Sequence, residues 1–291
     1  MSDIRTRTVS ANGLDFVIDE AGDGDDIALL LHGFPESRQT WRDQMAPLAR
    51  LGWRVVAPDL RGYGDSSRPK GLEAYRIESL VADVAALFEA LGARRRILIG
   101  HDWGGVIAWQ TALRRAVALD GLIILNAPHP VVFERVLNAG LTQRLRSWYV
   151  LFFMLPGLPE WQMAGGGGRG LVRALSGTAK HLDPDLLEIF RRNIVQPGAA
   201  TAMINYYRAN ATRLTNFDAA RVLEAPTLML WGADDFALDI ALTRGNEAYV
   251  ADFTLKLLEG ASHWVHLDEP GEISAGIADW ARAKGLTENN P

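Results

Sequence analysis

The six residues Gly-His-Asp-Trp-Gly-Gly at 100–105 restrict the fold of this chain more than any other segment. The mainly apolar run at 96–99 that precedes them predicts a buried strand, and the run at 106–113 that follows has the composition of a helix. A sharp turn from strand to helix leaves no room for a Cβ on either side, which explains the glycines at 100 and 104. The pattern is typical of a nucleophile elbow. It predicts that Asp102 stands above the carboxyl edge of a sheet and faces the N-terminus of a helix.

An aspartate in place of the more usual serine changes the chemistry expected at such an elbow. The carboxylate of Asp102 can attack an electrophilic carbon and form an alkyl-enzyme ester. A buried aspartate that only caps the helix is the alternative interpretation, and the elbow pattern alone leaves both open.

The composition of the chain excludes several classes of partner. Its net charge of −5 offers no attraction to a phosphate backbone, so we expect no nucleic acid partner. Cysteine is absent, which excludes disulfides and thiolate metal sites and favours a cytoplasmic location. The first ten residues lack the apolar core of a signal peptide, and the apolar run at 148–155 is too short to cross a bilayer, so we expect no membrane partner. No metal or cofactor ligand set is visible, and the sequence leaves open whether the chain forms a homodimer.

Apolar runs and helical patterns alternate along most of the 291 residues. This alternation predicts an α/β fold with a mostly parallel, doubly wound sheet. Between residues 128 and 216 the pattern changes to helices and loops without a convincing strand. We therefore predict a core domain formed by residues 1–127 and 217–291, with residues 128–216 inserted as a helical lid, or cap. The predicted strands lie at 14–19, 27–31, 53–57, 96–99, 119–125, 227–231 and 252–258.

Three polar residues follow predicted strands in an order that suggests a catalytic triad. Asp102, Asp235 and His263 give the order nucleophile, acid, histidine, and open α/β sheets place their sites at this end of the strands. A histidine held by a carboxylate can act as a general base on water. The residues alone leave Asp234 open as the acid and His266 open as the base.

Four motifs give the chain a family resemblance over nearly its whole length. His-Gly-Phe-Pro-Glu at 32–36, Asp-Leu-Arg-Gly-Tyr-Gly-Asp-Ser at 59–66, the elbow at 100–105 and Gly-Ala-Ser-His-Trp at 260–264 resemble those of epoxide hydrolases with the α/β-hydrolase fold. These core motifs are also similar to those of haloalkane and haloacid dehalogenases. The resemblance implies an α/β-hydrolase fold and a hydrolase that uses an aspartate nucleophile.

The resemblance also selects between the open alternatives for the triad. In the family the acid stands three residues after the glycine that follows its strand, which here is Asp235 and not Asp234. The family's Gly-x-x-His pattern selects His263 over His266.

Further features of the elbow region follow from the same resemblance. It implies an oxyanion hole formed by the backbone N–H groups of Phe34 and Trp103, and a cis bond between Phe34 and Pro35. The elbow itself predicts a positive φ at Asp102, which is unusual for a residue other than glycine.

The cap distinguishes epoxide chemistry from halide chemistry. Epoxide hydrolases use two cap tyrosines as general acids toward the ring oxygen, and the segments at 148–157 and 204–210 resemble the family's, which assigns these roles to Tyr149 and Tyr207. If Tyr207 does not have this role, Tyr206 is the next candidate. The alternative interpretation is that Tyr149 and Tyr207 only pack in a helical core.

We therefore predict an epoxide hydrolase that converts a small apolar epoxide to a vicinal diol through an ester on Asp102, without a cofactor. An apolar pocket is expected around Trp103, Phe34, Trp41 and Phe152. Two alternatives remain: a haloalkane or haloacid dehalogenase with the same triad, and a non-catalytic ligand-binding protein on the same fold.

Overall fold

A sheet of eight strands forms the centre of the molecule, which a computed structural model describes over residues 4–211 and 222–287. The strands lie side by side in the order β1-β2-β4-β3-β5-β6-β7-β8. The pairs β1–β2 and β2–β4 are antiparallel, and the other five pairs are parallel, which confirms the predicted mostly parallel sheet. The strands are β1 (Arg5–Ala11), β2 (Leu14–Ala21), β3 (Ile27–Leu31), β4 (Arg54–Pro58), β5 (Arg96–His101), β6 (Gly121–Leu125), β7 (Thr227–Gly232) and β8 (Phe253–Leu258).

Helices cover both faces of this sheet, as a parallel sheet requires. They are α1 (Arg42–Ala49), α2 (Ile77–Leu91), α3 (Trp103–Leu113), α4 (Pro130–Ala139), α5 (Leu141–Arg146), α6 (Trp148–Phe153), α7 (Leu158–Ser176), α8 (Pro184–Ile194), α9 (Ala199–Asn210), α10 (Val265–Asp268) and α11 (Pro270–Ala283). None of these helices combines the length and the apolar character needed to cross a membrane.

Side chains that alternate along the central strands form two cores, one on each face of the sheet. On β5, Leu98 packs with α2 and α3, while Ile97 and Ile99 pack with α1 and α11. Because both faces are covered, every residue of β3 and β6 is buried. The buried strands therefore read in the sequence as continuous apolar runs.

Six helices, α4 to α9, lie between β6 and β7, and we refer to them as the cap. The described residues of this insertion form no strand, apart from a single bridge between Leu223 and Val250 just before β7. The sequence-based end of the cap at residue 216 lies outside the described residues. Helix α9 anchors the cap to the core, because the Tyr206 hydroxyl donates to the Arg61 carbonyl over 2.9 Å and the Asn210 side-chain oxygen accepts from the Ile77 N–H over 2.7 Å.

Candidate active site

The elbow places Asp102 between the end of β5 and the start of α3. Its φ of 49° and ψ of −118° confirm the positive φ predicted from the sequence. The glycines allow the tight turn, because a Cβ on Gly104 would overlap the Leu31 carbonyl and one on Gly100 would overlap the Gly104 carbonyl. Asp102 thus stands at the carboxyl edge of the sheet, at the N-terminus of a helix.

The imidazole of His263 lies between two carboxylates. Its Nδ1 is 2.7 Å from Oδ2 of Asp235, and its Nε2 is 3.6 Å from Oδ2 of Asp102. Burial opposes a charge on this ring, but the neighbouring carboxylates outweigh burial and raise the pKa of His263 to about 10. The three residues whose order in the chain predicted a triad therefore meet in space.

A dense set of donors holds the Asp235 side chain in place. Its Oδ1 accepts from the N–H groups of Ala237 (2.7 Å) and Leu238 (2.9 Å). Its Oδ2 accepts from the side-chain amide of Asn126 over 2.8 Å, in addition to the bond with His263. Burial alone would raise the pKa of Asp235, but His263 and these hydrogen bonds reverse the effect and lower it. Asp235 is thus kept as an anion beside the imidazole.

The alternative acid and base lie elsewhere. Asp234 points to the surface, where its carboxylate pairs with Lys180 of the cap at 2.6 Å. His266 is fully buried, with Nε2 2.8 Å from the Thr40 hydroxyl and 3.2 Å from Oε1 of Glu36. The structure brings neither residue to Asp102.

Backbone amides face the Asp102 carboxylate from two segments. The N–H of Phe34 donates to Oδ1 of Asp102 over 2.8 Å, and the Phe34–Pro35 bond is cis, as predicted. Trp103 is the first residue of α3, so its N–H has no acceptor within the helix. The Phe34 N–H is therefore placed to stabilise negative charge that develops on Oδ1, and the adjacent Trp103 N–H is not used within the helix.

Two cap tyrosines stand in the wall of the cavity that Asp102 faces. Tyr149 on α6 and Tyr207 on α9 have ring centroids 6.0 Å apart with planes at 88°. Burial, and next the charge of Asp102, raise the pKa of both hydroxyl groups, so both remain neutral proton donors. Tyr206 is bonded to the core carbonyl of Arg61 and does not line this cavity.

The cavity is predominantly apolar and lies between the core and the cap. Of the predicted pocket residues, Trp103 lines it. Phe34 does not line it but packs edge-on against the lining residue Tyr207, with ring centroids 5.3 Å apart. The remaining wall includes Val106, Asn126, Ala127, Pro128, Pro130, Phe133, Val150, Asn210, Ala211 and Leu238.

Two further predicted pocket residues do not line the cavity either, and their assignment is corrected here. Trp41 is fully buried in the core on the other face of the sheet, with its ring 4.7 Å from that of His266. Phe152 is half-buried beside Phe153 and Trp148. Its ring centroid lies 6.2 Å from that of Trp148, which is 64% exposed, so Phe152 packs toward the outer side of the cap.

Beneath the triad lies a buried hydrogen-bond network centred on Glu36. Its Oε2 accepts from the Gly33 N–H over 2.7 Å and lies 2.9 Å from Nδ1 of His101. His101 Nε2 in turn donates to the His263 carbonyl over 2.9 Å. Glu36 thus connects the loop that carries Phe34 with the loop that carries His263. The potential metal-ligand atoms of Glu36, His101 and His266 lie within 4.8 Å of one another, and each of the three side chains already makes at least one hydrogen bond within the protein.

The cap also contacts the loop that carries the acid. The buried side chain of Gln143 on α5 donates to the Ala237 carbonyl over 3.0 Å and accepts from the Asp239 N–H over 2.8 Å. Asn126 and Gln143 did not emerge from the sequence, since their partners are main-chain groups or residues more than 90 positions away. For Asn126, its position directly after β6 was an available signal.

The fold and the site define the class of protein. A model of the alpha/beta hydrolase fold family matches residues 29–270, and the chain belongs to that family. Within the family it groups with epoxide hydrolases. Epoxide hydrolase 3 of Xenopus tropicalis is 37% identical over 273 residues, which cover 91% of this chain and 73% of that protein.

Two further comparisons extend over nearly the full length of both chains. YfhM of Bacillus subtilis, an AB hydrolase superfamily protein, is 34% identical over 285 residues, which cover 97% of this chain and 99% of that one. The crystal structure of the Bacillus megaterium epoxide hydrolase in complex with an inhibitor superimposes with a TM-score of 0.86 at 29% identity, covering 95% of this chain and all of that one.

Proposed function

We propose that this protein hydrolyses epoxides to vicinal diols through a covalent ester on Asp102. One observation carries the proposal. The side chains of Tyr149 and Tyr207, whose hydroxyl groups are neutral, line the same apolar cavity as the carboxylate of Asp102 at the elbow. A carboxylate nucleophile suits several leaving groups, but a pair of buried phenols suits an oxygen that must gain a proton as it leaves. The similarity to epoxide hydrolases supports the same chemistry.

The first step is attack of Asp102 on a ring carbon. Oδ1 already accepts the Phe34 N–H at 2.8 Å, so Oδ2 is the oxygen free to attack, and Oδ1 becomes the carbonyl oxygen of the ester. As the carbon–oxygen bond of the ring breaks, Tyr149 and Tyr207 hydrogen-bond to the departing oxygen and one of them supplies its proton. The products of this step are a β-hydroxyalkyl ester and one tyrosinate, which regains its proton from solvent.

The second step is hydrolysis of the ester with His263 as the base. Ester formation removes the negative charge of Asp102, which is one of the groups that raise the pKa of His263, so this pKa falls when the intermediate forms. The neutral imidazole, oriented by Asp235, takes a proton from water as the water oxygen attacks the ester carbonyl. The negative charge on Oδ1 is stabilised by the N–H groups of Phe34 and Trp103, and loss of one such donor typically costs about 2.7–4 kcal/mol. Collapse of the tetrahedral intermediate breaks the bond to the alkoxide, which takes the proton from His263 and leaves as the diol. The Asp102 carboxylic acid that remains passes its proton to His263, which restores the resting charges.

A substrate panel tests this proposal. Purified protein is incubated with aryl epoxides, alkyl epoxides, haloalkanes and haloacids, and both diol and halide release are measured. We expect diol from at least one apolar epoxide, and no turnover by an Asp102→Asn variant. Halide release faster than diol release would favour a dehalogenase, and no product from any member would favour a ligand-binding protein.

A cytoplasmic location and a homodimer are further parts of the proposal. A chain without cysteine suits a reducing compartment, although it does not require one. Light scattering coupled to size exclusion measures whether two copies associate.

A further inference from the structure

The outer surface of the cap exposes an unusual row of large apolar side chains. Among them, Trp148 is 64% exposed, Leu151 is 75% exposed and Trp161 is 71% exposed. An isolated exposed leucine is ordinary, but a contiguous apolar patch on a protein surface marks an interaction site. The row, which we call the cap stripe, comprises Leu141, Leu145, Trp148, Leu151, Leu155, Leu158 and Trp161.

The cap stripe runs along the α5–α6 segment and continues past residues 154–157 onto the first turn of α7. Its members recur every three or four residues, which places those within one helix on the same side of that helix. The opposite side carries Gln143, Tyr149 and Phe153, which contact the acid loop, the cavity and the core. The segment therefore has one apolar side packed on the protein and a second apolar side that the protein leaves uncovered.

The charged side chains that are exposed between residues 141 and 173 are of one sign. The structure describes all of residues 141–173, and the exposed residues in this range include Arg144, Arg169 and Arg173 but no acid. Glu160, the one acid in the range, is half-buried and paired with Arg208. This basic surface stands out in a chain whose net charge is −5.

The two features also meet locally at the start of α7. A Cβ on Gly165 would lie 3.5 Å from the Trp161 ring, and one on Gly166 would lie 3.6 Å from the side chain of Arg169. The four glycines at 165–168 thus form a turn without side chains between an exposed tryptophan and an exposed arginine. Exposed aromatic and basic side chains are adjacent here.

We propose that the cap stripe docks on the surface of an anionic phospholipid bilayer, with α5 and α6 lying in the plane of the interface. Leucine and tryptophan on one face with flanking arginines is the composition of interfacial helices, which bind by apolar burial together with attraction to anionic lipid. A second copy of this chain fits less well, because a two-fold contact through the stripe would bring its arginines together without an acid to balance them. No helix among the described residues is able to span a membrane. The expectation of no membrane partner rested on a signal peptide and a spanning segment, and peripheral docking needs neither.

The position of the stripe suggests what this docking accomplishes. Helix α6 presents Trp148 and Leu151 outward and Tyr149 and Val150 toward the cavity. Apolar epoxides concentrate in the hydrocarbon of a bilayer, so docking would hold the cavity close to its substrate. This consequence rests on the proposed function, whereas the docking itself does not.

Vesicle flotation tests the docking directly. The full chain is mixed with vesicles of phosphatidylcholine alone or with 30% phosphatidylglycerol, at about 0.1 M salt, where the Debye length is about 10 Å. We expect at least about tenfold stronger partition to the anionic vesicles, and a further loss of binding as salt is raised.

Two triple variants separate the apolar and the basic contributions. Each arginine near an anionic surface contributes about 1 kcal/mol, so removal of three is expected to weaken partition by up to roughly 100-fold. The apolar variant is expected to lose at least about tenfold. The basic variant is Arg144→Gln, Arg169→Gln and Arg173→Gln, and the apolar variant is Leu145→Gln, Leu151→Gln and Trp161→Gln.

A control pair in the core domain keeps the test specific. Leu255 and Leu257 on β8 are also exposed, so Leu255→Gln with Leu257→Gln removes surface apolar area at a distance from the stripe and is expected to leave partition unchanged. Circular dichroism and turnover of a water-miscible epoxide establish that each variant is folded.

Wild-type protein that does not float with anionic vesicles overturns the proposal. Dimers that the apolar variant abolishes, without any vesicle binding, also overturn it in favour of a second copy, and diol production is unaffected by either result.

Discussion

His263 lies 3.6 Å from the carboxylate of Asp102 through Nε2. The nucleophile is thus one of the groups that hold a proton on the base before substrate binds. The resting site contains a charged imidazole between two carboxylates, and the base becomes available when Asp102 is converted to an ester. Formation of the intermediate therefore prepares its own hydrolysis.

The first prediction concerns the pH dependence that follows from this contact. The pKa of His263 is raised to about 10 from an ordinary value near 6.5. Protonation of His263 therefore adds its full contribution to the unfolding free energy below about pH 6.5, and this contribution is lost as pH rises through 10. Asp102→Asn removes one of the charges that support the proton. We expect a lower His263 pKa in that variant by NMR titration, and a smaller loss of unfolding free energy between pH 6.5 and 10 than in wild type. Equal His263 pKa values in the two proteins would contradict the coupling.

The second prediction concerns the ester. Formation of the ester needs Asp102, whereas its hydrolysis needs His263, so His263→Gln is expected to accumulate a covalent adduct. Intact-protein mass spectrometry after exposure to an epoxide should show a mass increase equal to one substrate molecule. The double variant that also carries Asp102→Asn is the control and should show no increase. A variant at His263 that loses turnover without gaining mass would argue against two steps.

The third prediction separates two adjacent acids. Asp235 contacts Nδ1 of His263 at 2.7 Å, whereas the exposed carboxylate of Asp234 pairs with Lys180. In a related triad, replacing the acid by its amide lowers turnover by roughly 10⁴-fold, and we expect a large loss of this kind for Asp235→Asn. Asp234→Asn removes an exposed ion pair and should change stability by less than about 1 kcal/mol, with little effect on turnover. Comparable kinetic losses in the two variants would contradict the assignment.

The motifs of the core could be predicted from the sequence because each is determined by steric or burial requirements of residues nearby in the chain. The turn at Asp102 needs a glycine at 100 and at 104, and both positions are within two residues of Asp102 in the sequence. The buried strands appear as apolar runs because both of their faces are covered. Positions set by such short-range requirements were predicted correctly.

Strand β1 was missed because its signals are weaker. The first four of its residues are exposed, and charged residues and threonines interrupt any apolar run. The available signal was the Asn12-Gly13 pair between β1 and β2, where both residues have positive φ, 49° and 70°, as a two-residue hairpin turn requires.

Trp41 and Gln143 show a different kind of limit. The side of the sheet that Trp41 occupies depends on how the segment after β3 turns toward α1 and α11, and no local pattern specifies it. Gln143 reaches a loop 94 residues later in the chain. Contacts of this kind depend on the assembled fold, so a single sequence does not reveal them.

The fourth prediction tests Gln143 as a positioning residue. Gln143→Leu leaves the Ala237 carbonyl and the Asp239 N–H without their side-chain partner, and each buried group left unpaired costs about 1–3 kcal/mol. We expect chemical denaturation to show a loss of about 2 kcal/mol or more. We also expect slower ester hydrolysis, because the loop that holds Asp235 is less constrained. Gln162→Leu, at an exposed position on α7, is the matched control and should change the unfolding free energy by no more than about 0.5 kcal/mol.

The last prediction distinguishes epoxide from halide chemistry by where negative charge develops. Ring opening places it on an alkoxide, which is too basic to leave without a proton donor, whereas a halide leaves as a weak base. Tyr149→Phe and Tyr207→Phe are each expected to slow epoxide opening, and the double variant should nearly abolish it with Asp102, Asp235 and His263 intact.

The reaction step that the double tyrosine variant blocks can be measured directly. Without Tyr149 and Tyr207 the ester should not form, so intact-protein mass spectrometry should show no adduct, which is the opposite of the result for His263→Gln. Tyr206→Phe is the matched control, because the Tyr206 hydroxyl donates to the Arg61 carbonyl at 2.9 Å and lies outside the cavity lining. That control is expected to lose stability and still to form the ester at a near wild-type rate. Near wild-type ring opening by the double variant, or faster halide than diol release by the wild type, would replace the epoxide assignment with a dehalogenase.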